Sequence, residues 1–164
     1  MLNQVIEKLQ AEVEALDHEL NVTLPAALEK AVANGDLREN GDYHAALERQ
    51  RFVGARLSQL RTRLVKLSSI DISQIPVDRV GLGSQVKVKD LETGEEEVFE
   101  LVVPDAIDFD KGHISVASPL GAAFVNRKVG HKAEVRLPMG ERKLKIIELK
   151  TLHDLAREDV DAKS

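Results

Sequence analysis

The segment GDLRENGDYHAALERQ, residues 35–50, joins two periodic apolar stretches and decides how the N-terminal part of the chain folds. Its beginning combines three carboxylates with an Asn-Gly pair, a combination typical of turns. Apolar residues on either side recur at alternating spacings of four and three, which is the heptad pattern of a coiled coil. Before the segment the positions are Leu2, Ile6, Leu9, Val13, Leu16, Leu20 and, after a polar step at Thr23, Ala27. After it they are Tyr43, Ala46, Gln50, Val53, Leu57, Leu60, Leu64 and Leu67, with Gln50 the main polar interruption. The sequence therefore predicts two helices joined by a short acidic connection.

Charged residues beside the apolar positions predict how the two helices pair. A short connection favours antiparallel helices, and pairing Glu12 with Arg63 and Glu19 with Arg56 places the turn inside the acidic segment. Pro25 lacks a backbone N–H and is expected to kink the first helix or restart it.

The periodicity changes after Ser68. Residues 71–83 contain proline and glycine and indicate a linker. Alternating apolar and polar residues then predict two hairpins, with turns at Thr93-Gly94 and at residues 138–140, and a short helix after Pro119. We therefore predict an α+β protein with a coiled-coil hairpin over 1–70, a linker over 71–83, a small antiparallel-sheet domain over 84–152 and a charged tail over 153–164.

Composition limits the class of protein. Charged residues make up 31% of the chain, aromatic residues 3%, and the net charge is −5, so any nucleic-acid contact must come from a local basic patch. The chain has no cysteine, which fits a reducing compartment. It has no long apolar run, so we expect a cytoplasmic protein with no membrane partner.

The three carboxylates at the turn, Asp36, Glu39 and Asp42, permit two interpretations. Asp36 and Glu39 have the spacing of a helix capping box, with Gly35 ending the preceding helix. The same pair could instead supply oxygen ligands to Mg²⁺, which commonly takes one or two protein carboxylates together with water and substrate phosphate. Two carboxylates form only part of such a site, so the second interpretation needs another protein to complete it.

The string NGDLRENGDYHAALERQ closely resembles the signature of the bacterial Gre transcript-cleavage factors of the GreA type, and ISVASPLGAAFVNRKVG resembles a second family segment. The resemblance implies an FKBP-like C-terminal domain and a monomer that enters the secondary channel of RNA polymerase. There the factor stimulates the polymerase to cut the 3′ end of backtracked nascent RNA, so it is an accessory factor rather than an enzyme. By motif position, Asp36 and Glu39 would assist catalysis and hold Mg²⁺ jointly with the polymerase, with Asp42 and Tyr43 supporting the tip.

The resemblance also suggests contacts away from the tip. Arg49 and Arg51 are candidates for contacting the RNA, and the predicted pairing leaves Arg49 opposite Ala26 without an acidic partner. Ser118 and Pro119 are candidates for docking on the polymerase rim, although Ser-Pro also suits a plain strand-to-helix junction.

Three positions depart from the family pattern: Ala117 where many members have Asp or Asn, Asn126 where they often have Gly, and His131 where they often have an acid. These departures lie in the presumed docking domain, and they bear on polymerase affinity rather than on tip chemistry.

Other functions remain open from the sequence. The same architecture could occupy the polymerase channel and regulate it without promoting cleavage, or serve as an adaptor with an inert tip. A prolyl isomerase is disfavoured, because the C-terminal half has only Phe99, Phe109 and Phe124 to line an aromatic pocket.

Overall fold

The computed structural model describes residues 1–35 and 39–163. The chain divides into two compact units, a helical unit over Asn3–Ile70 and a second unit that begins at Asp71. The predicted α+β class with an N-terminal helical region is confirmed. Within the described residues, no helix is both long enough and apolar enough to cross a membrane.

The helical unit is an antiparallel hairpin whose first arm is interrupted. Helix α1 covers Leu2–His18, a π-helical turn covers Glu19–Thr23, α2 covers Leu24–Ala33 and α3 covers Gly41–Ser68. In the π turn the Leu24 N–H donates to the carbonyl of Glu19, and Pro25 follows in the first turn of α2. The interruption expected at Pro25 is thus present, and it takes the form of a widened turn followed by a restarted helix.

The π turn changes which residues of the first arm face α3. A π turn accommodates one residue more than an α turn, so it rotates the faces of the helix that follows. Leu24 and Ala31 are buried, whereas Thr23 and Ala27, which the heptad pattern placed in the interface, are exposed. On α3 the prediction holds, since Ala46, Val53, Leu57, Leu60 and Leu67 are all buried.

The predicted ion-pair partners are wrong by one heptad of α3, whereas the turn lies where the pairing placed it, since α2 ends at Ala33 and α3 begins at Gly41. Glu19 contacts Arg49 at 2.6 Å instead of Arg56, and Glu12 contacts Arg56 at 3.0 Å instead of Arg63. The physical reason is that a heptad repeat looks the same after a shift of seven residues, and arginine recurs at that interval on α3. A further ion pair joins Arg61 of α3 to Asp17 of α1 at 2.6 Å.

The second unit is built on one curved sheet. Its strands are β1 Gln85–Asp90, β2 Glu96–Val102, β3 His113–Ser115, β4 Lys132–Leu137 and β5 Gly140–Lys150, with α4 Pro119–Phe124 between β3 and β4. Among the described residues the sheet has five strands in the order β3-β2-β1-β5-β4. The hairpins predicted at Thr93-Gly94 and at residues 138–140 are confirmed as the β1–β2 and β4–β5 pairs.

The sheet is mixed, which corrects the prediction of a purely antiparallel one. β3 pairs in parallel with β2. The intervening residues form two 3₁₀ turns, Pro104–Ala106 and Phe109–Lys111, which carry the chain back before β3 begins. Such a crossover, unlike a tight hairpin, allows a parallel neighbour.

The core of this unit lies on one face of the sheet. Val86, Val88, Leu144 and Ile146 pack there with Phe124 of α4, all fully buried. Val80, inside the predicted linker, belongs to the same cluster.

The last helix is α5, Leu152–Lys163, in the segment for which the sequence predicts only a charged tail. Thr151 and Asp154 cap it reciprocally, because each side chain accepts a hydrogen bond from the other residue's backbone N–H. The ammonium of Lys150, at the end of β5, lies 2.8 Å from the carboxylate of Glu158 in α5.

Candidate functional site at the tip of the helical hairpin

The start of α3 is fixed by Asn40. Its side-chain oxygen accepts a hydrogen bond from the Tyr43 N–H at 3.1 Å, which makes Asn40 the N-cap residue. Its amide nitrogen donates to the carbonyl of Ala31 in the last turn of α2 at 2.6 Å. One side chain therefore joins the end of one arm to the beginning of the other.

This arrangement corrects the capping-box interpretation for α3. The cap is Asn40, so Glu39 precedes the helix and does not occupy the third helical position that a capping box requires. Asp36 lies outside the described residues. Gly35 has a φ of +134°, a backbone conformation that side chains disfavour, and this agrees with its predicted role in ending the first arm.

Glu39 is the described member of the predicted catalytic pair. It is exposed, and its carboxylate makes no hydrogen bond or ion pair with any residue of 1–35 or 39–163. It borders an open depression lined by Asn34, Asn40, Gly41 and Asp42. A carboxylate placed in this way can bind a cation that is supplied from outside the chain.

The two predicted supporting residues occupy the first turn of α3. Asp42 is exposed there, where the positive end of the helix dipole favours a negative charge. Tyr43 is half-buried, and its ring contacts the His44 ring edge-on, with 5.7 Å between centroids. Its backbone N–H, rather than its hydroxyl, makes the contact that shapes the tip.

The described carboxylates of the tip are Glu39, just before α3, and Asp42 in its first turn. Residues 1–35 and 39–163 contain no group of three or more His, Asp or Glu side chains arranged as metal ligands. Any divalent ion at Glu39 would therefore need further ligands from elsewhere.

Arg49 and Arg51 differ in their surroundings. The Arg49 guanidinium donates twice to the Glu19 carboxylate, at 2.6 and 2.8 Å, and lies 5.0 Å from the centroid of the Phe52 ring. The prediction that Arg49 lacks an acidic partner is therefore wrong, because Glu19 pairs with Arg49 and not with Arg56. The hydrogen bonds to Arg49 lower the pKa of Glu19 below its ordinary value and raise that of Arg49. Arg51 is exposed and contacts no carboxylate in the part of the chain that the structure describes.

Ser118 and Pro119 form a strand-to-helix junction. The Ser118 hydroxyl accepts from the Gly121 N–H at 3.1 Å and donates to the carbonyl of Ser115 at 2.7 Å, while Pro119 begins α4. Gly121 is required beside them, since a β-carbon there would overlap the Ser115 carbonyl oxygen. These contacts account for the Ser-Pro pair structurally, and its role in docking stays a prediction.

Comparisons with known proteins cover both units. The family described as "Transcription elongation factor, N-terminal" matches residues 1–68, and "Transcription elongation factor, GreA/GreB, C-term" matches residues 75–151. The chain belongs to the GreA/GreB family of transcription elongation factors.

Individual relatives agree with this assignment. A transcription elongation factor GreA from Thermodesulfovibrio yellowstonii is 40% identical over 135 residues, covering 80% of this chain and 84% of the relative. One from Hyphomonas neptunium is 36% identical over 141 residues, covering 86% and 90%. Among solved structures, GreA factor homolog 1 of Thermus thermophilus is 24% identical and covers 88% of this chain and 94% of its own, with a TM-score of 0.41.

Two of the three departures from the Gre pattern have a structural explanation. Asn126 has a φ of 69°, and within the described ranges no other non-glycine residue has a positive φ. Asparagine tolerates this left-handed conformation better than most residues, so it can replace the usual glycine while keeping the backbone. His131 closes a turn, because its Nδ1 accepts a hydrogen bond from the Lys128 N–H at 3.1 Å. Nothing in the structure explains Ala117.

Asn40 is the residue of the candidate site that the sequence interpretation missed. Asn40 lies inside the Gre signature. The Asp-x-x-Glu spacing instead suggested a capping box that begins at Asp36. The available signal was the order Asn-Gly-Asp, in which Asn is a preferred N-cap residue and Asp suits the first turn.

Proposed function

We propose that this chain stimulates transcript cleavage by RNA polymerase. In this proposal the helical hairpin enters the secondary channel, and the tip brings Asp36 and Glu39 to the polymerase active centre. The polymerase then cuts the 3′ end of a backtracked nascent RNA and resumes elongation. The supporting observation is the exposed Glu39 carboxylate, which directly precedes the capped start of α3 within the family signature.

The dimensions of the hairpin suit this role. Helix α3 has 28 residues, and at about 1.5 Å per residue it extends roughly 42 Å. An apolar interface of Leu24, Val53 and Leu57 and the Glu19–Arg49 and Glu12–Arg56 ion pairs hold the arms together. A stiff arm of this kind can present a small group of side chains deep inside a partner.

The donor chemistry of the tip fits Mg²⁺. Asp36 and Glu39 would hold the ion through carboxylate oxygens, which are the ligands that Mg²⁺ prefers, and the polymerase would complete the ligand set. When bound, the ion would supply Lewis-acid stabilisation to the phosphodiester group being cleaved. The protein's own contribution is positional, since the Asn40 contacts fix the backbone that carries Glu39.

The observed pairing changes the ranking of the RNA-contact candidates. Arg49 would have to give up its two hydrogen bonds to Glu19 before binding a phosphate, whereas Arg51 would not. We therefore propose Arg51 as the RNA contact of the two. The protein would act as a monomeric cytoplasmic accessory factor without nuclease activity of its own, and Ser118-Pro119 would dock on the polymerase rim.

The decisive experiment is cleavage of radiolabelled RNA in a stalled, backtracked elongation complex with Mg²⁺ present. We expect the wild-type protein to stimulate cleavage only when polymerase is present. The Asp36→Asn and Glu39→Gln variants should each lose stimulation by at least about tenfold, as expected for groups that support a metal site. Glu48→Gln is the matched control, because it removes one exposed carboxylate from α3 away from the tip.

The possible outcomes separate two functions. Loss of stimulation in the two tip variants but not in Glu48→Gln supports donated metal ligands. A wild-type protein that binds the complex without stimulating cleavage would instead be a regulator that occupies the channel, and the proposal would fail.

A further inference from the structure

Three lysines stand side by side on the exposed face of the sheet. The register of β1 and β5 places Lys89 opposite Lys145, and the register of β5 and β4 places Lys145 opposite Lys132. Directly paired residues point to the same face of a sheet. All three lysines are exposed, whereas Leu144 and Ala133 beside them are buried on the other face. We call these three residues the lysine row.

The lysine row places like charges directly opposite each other, and at one end of it Glu96 of β2 lies opposite Lys89. Like charges placed directly opposite each other destabilise a sheet. None of the three lysines has a carboxylate within 4.0 Å among the described residues. Other lysines of the same unit do have such partners: Lys111, Lys128 and Lys150 lie 3.9, 3.7 and 2.8 Å from the carboxylates of Asp108, Asp78 and Glu158.

Protection of the sheet edge explains only part of this arrangement. Lysine on an edge strand prevents pairing with another chain, and Lys132 lies on β4, at one end of the strand order. Lys89 and Lys145 lie on β1 and β5, which are paired on both sides. An edge-protection role therefore does not account for two of the three lysines.

We propose that the lysine row binds the phosphate backbone of a nucleic acid without regard to base sequence. The surrounding sequence is locally basic although the chain is acidic, since residues 127–150 contain eight Lys and Arg against three Glu. With strands about 4.8 Å apart, the row extends over roughly 10 Å across the sheet, so more than one phosphate can be contacted.

A protein partner fits the row less well than a nucleic acid. Lysine is depleted in protein–protein interfaces, where aromatic side chains are enriched, and the row is made of lysine alone. Phosphate contacts are the normal use of such a surface and give position without sequence specificity.

The test is fluorescence anisotropy of the full-length protein with labelled probes, without RNA polymerase. The probes are a single-stranded RNA 20-mer, a 20-base-pair DNA duplex and a poly-aspartate peptide, each titrated across a series of salt concentrations. The test variant combines Lys89→Gln, Lys132→Gln and Lys145→Gln. The matched control combines Lys111→Gln, Lys128→Gln and Lys150→Gln, which removes the same charge from exposed lysines of the same unit.

We expect the test variant to bind the nucleic acid at least tenfold more weakly at low salt than either the wild type or the control. The slope of log affinity against log salt concentration should become less negative by about 2 to 3, as expected for the loss of three phosphate contacts. Comparison of the RNA and duplex arms shows which form of nucleic acid the lysine row binds more tightly.

Three results would overturn the proposal. They are no measurable binding of either nucleic acid by the wild type, an equal loss in test and control variants, and a loss confined to the poly-aspartate probe. The last of these would identify an acidic protein surface as the ligand. Circular dichroism melting checks that the test variant is folded. Because the probes are free in solution, the outcome is independent of whether the protein stimulates cleavage.

Discussion

Replacing Asn40 tests the geometry of the tip directly. In Asn40→Ala, α3 loses its N-cap, which costs about 1 kcal/mol, and the hydrogen bond to the Ala31 carbonyl, which contributes about another 1 kcal/mol. The Ala31 carbonyl keeps the hydrogen bond from the Asn34 N–H at 3.2 Å, so it is not left without a partner. We therefore expect a loss near 2 kcal/mol in the stability of the helical unit.

Asn40→Asp separates the two contributions. A carboxylate oxygen can still accept from the Tyr43 N–H, and a negative charge is favourable at a helix N-terminus. Only the donor to Ala31 is lost, so the cost should be about half that of Asn40→Ala. Asn34→Ala is the control, because its side chain forms no hydrogen bond with the residues described by the structure.

Amide hydrogen exchange is the assay, because a protein with two units need not unfold in a single transition. Exchange at the Tyr43 N–H should accelerate in Asn40→Ala and remain slow in Asn40→Asp. The melting temperature of the helical unit should fall by roughly 8–16 °C in Asn40→Ala. If the aspartate variant is destabilised as much as the alanine variant, or if Tyr43 exchange is unchanged in both, the assignment of Asn40 as the cap is refuted.

Further predictions concern the space around two glycines, the left-handed turn and the ion pair. Gly121→Ala should destabilise the second unit by about 3 kcal/mol through steric overlap, whereas Gly54→Ala, in an open helical position, should stabilise α3 by about 0.5–1 kcal/mol in denaturant titrations. Asn126→Gly should be close to neutral and Asn126→Val should cost at least about 1–2 kcal/mol, measured in the same way. Carboxyl NMR titration should show the pKa of Glu19 below its ordinary value, and Arg49→Gln should return it there. Since a lowered carboxylate pKa stabilises the fold above the unfolded-state pKa, the difference in melting temperature between wild type and Arg49→Gln should shrink as the pH falls through the folded-state pKa of Glu19. An unchanged difference at acidic pH would contradict the pairing.

The helical hairpin was predictable because the apolar positions of a heptad repeat lie on the buried face of each helix. Val53 and Leu57 are buried as expected. The ion-pair partners were not predictable from the same pattern, since Arg49, Arg56 and Arg63 are equivalent under a shift of one heptad.

In the sheet, the sequence predicts hairpins between neighbouring strands correctly, but it carries no signal for pairings between distant strands. Both hairpins follow from turn residues between alternating strands, and both are present. The parallel position of β3 and the lysine row depend on pairings between segments far apart in the chain. The β1–β5 register also shifts between Lys87 and Val88, which no local pattern indicates.

The Asn40 cap also bears on the chemistry proposed for the tip. From the sequence, the same carboxylates could either cap α3 or bind a metal ion, and these uses compete. A carboxylate that accepts backbone hydrogen bonds has fewer lone pairs free for a cation, and its charge is already stabilised by the helix terminus. At the start of α3 the cap is a neutral amide, so the helix does not engage the Glu39 carboxylate. The stability of the turn and the exposed charge thus come from adjacent residues, which is why substitution at Asn40 and at Glu39 should separate a loss of folding stability from a loss of cleavage stimulation.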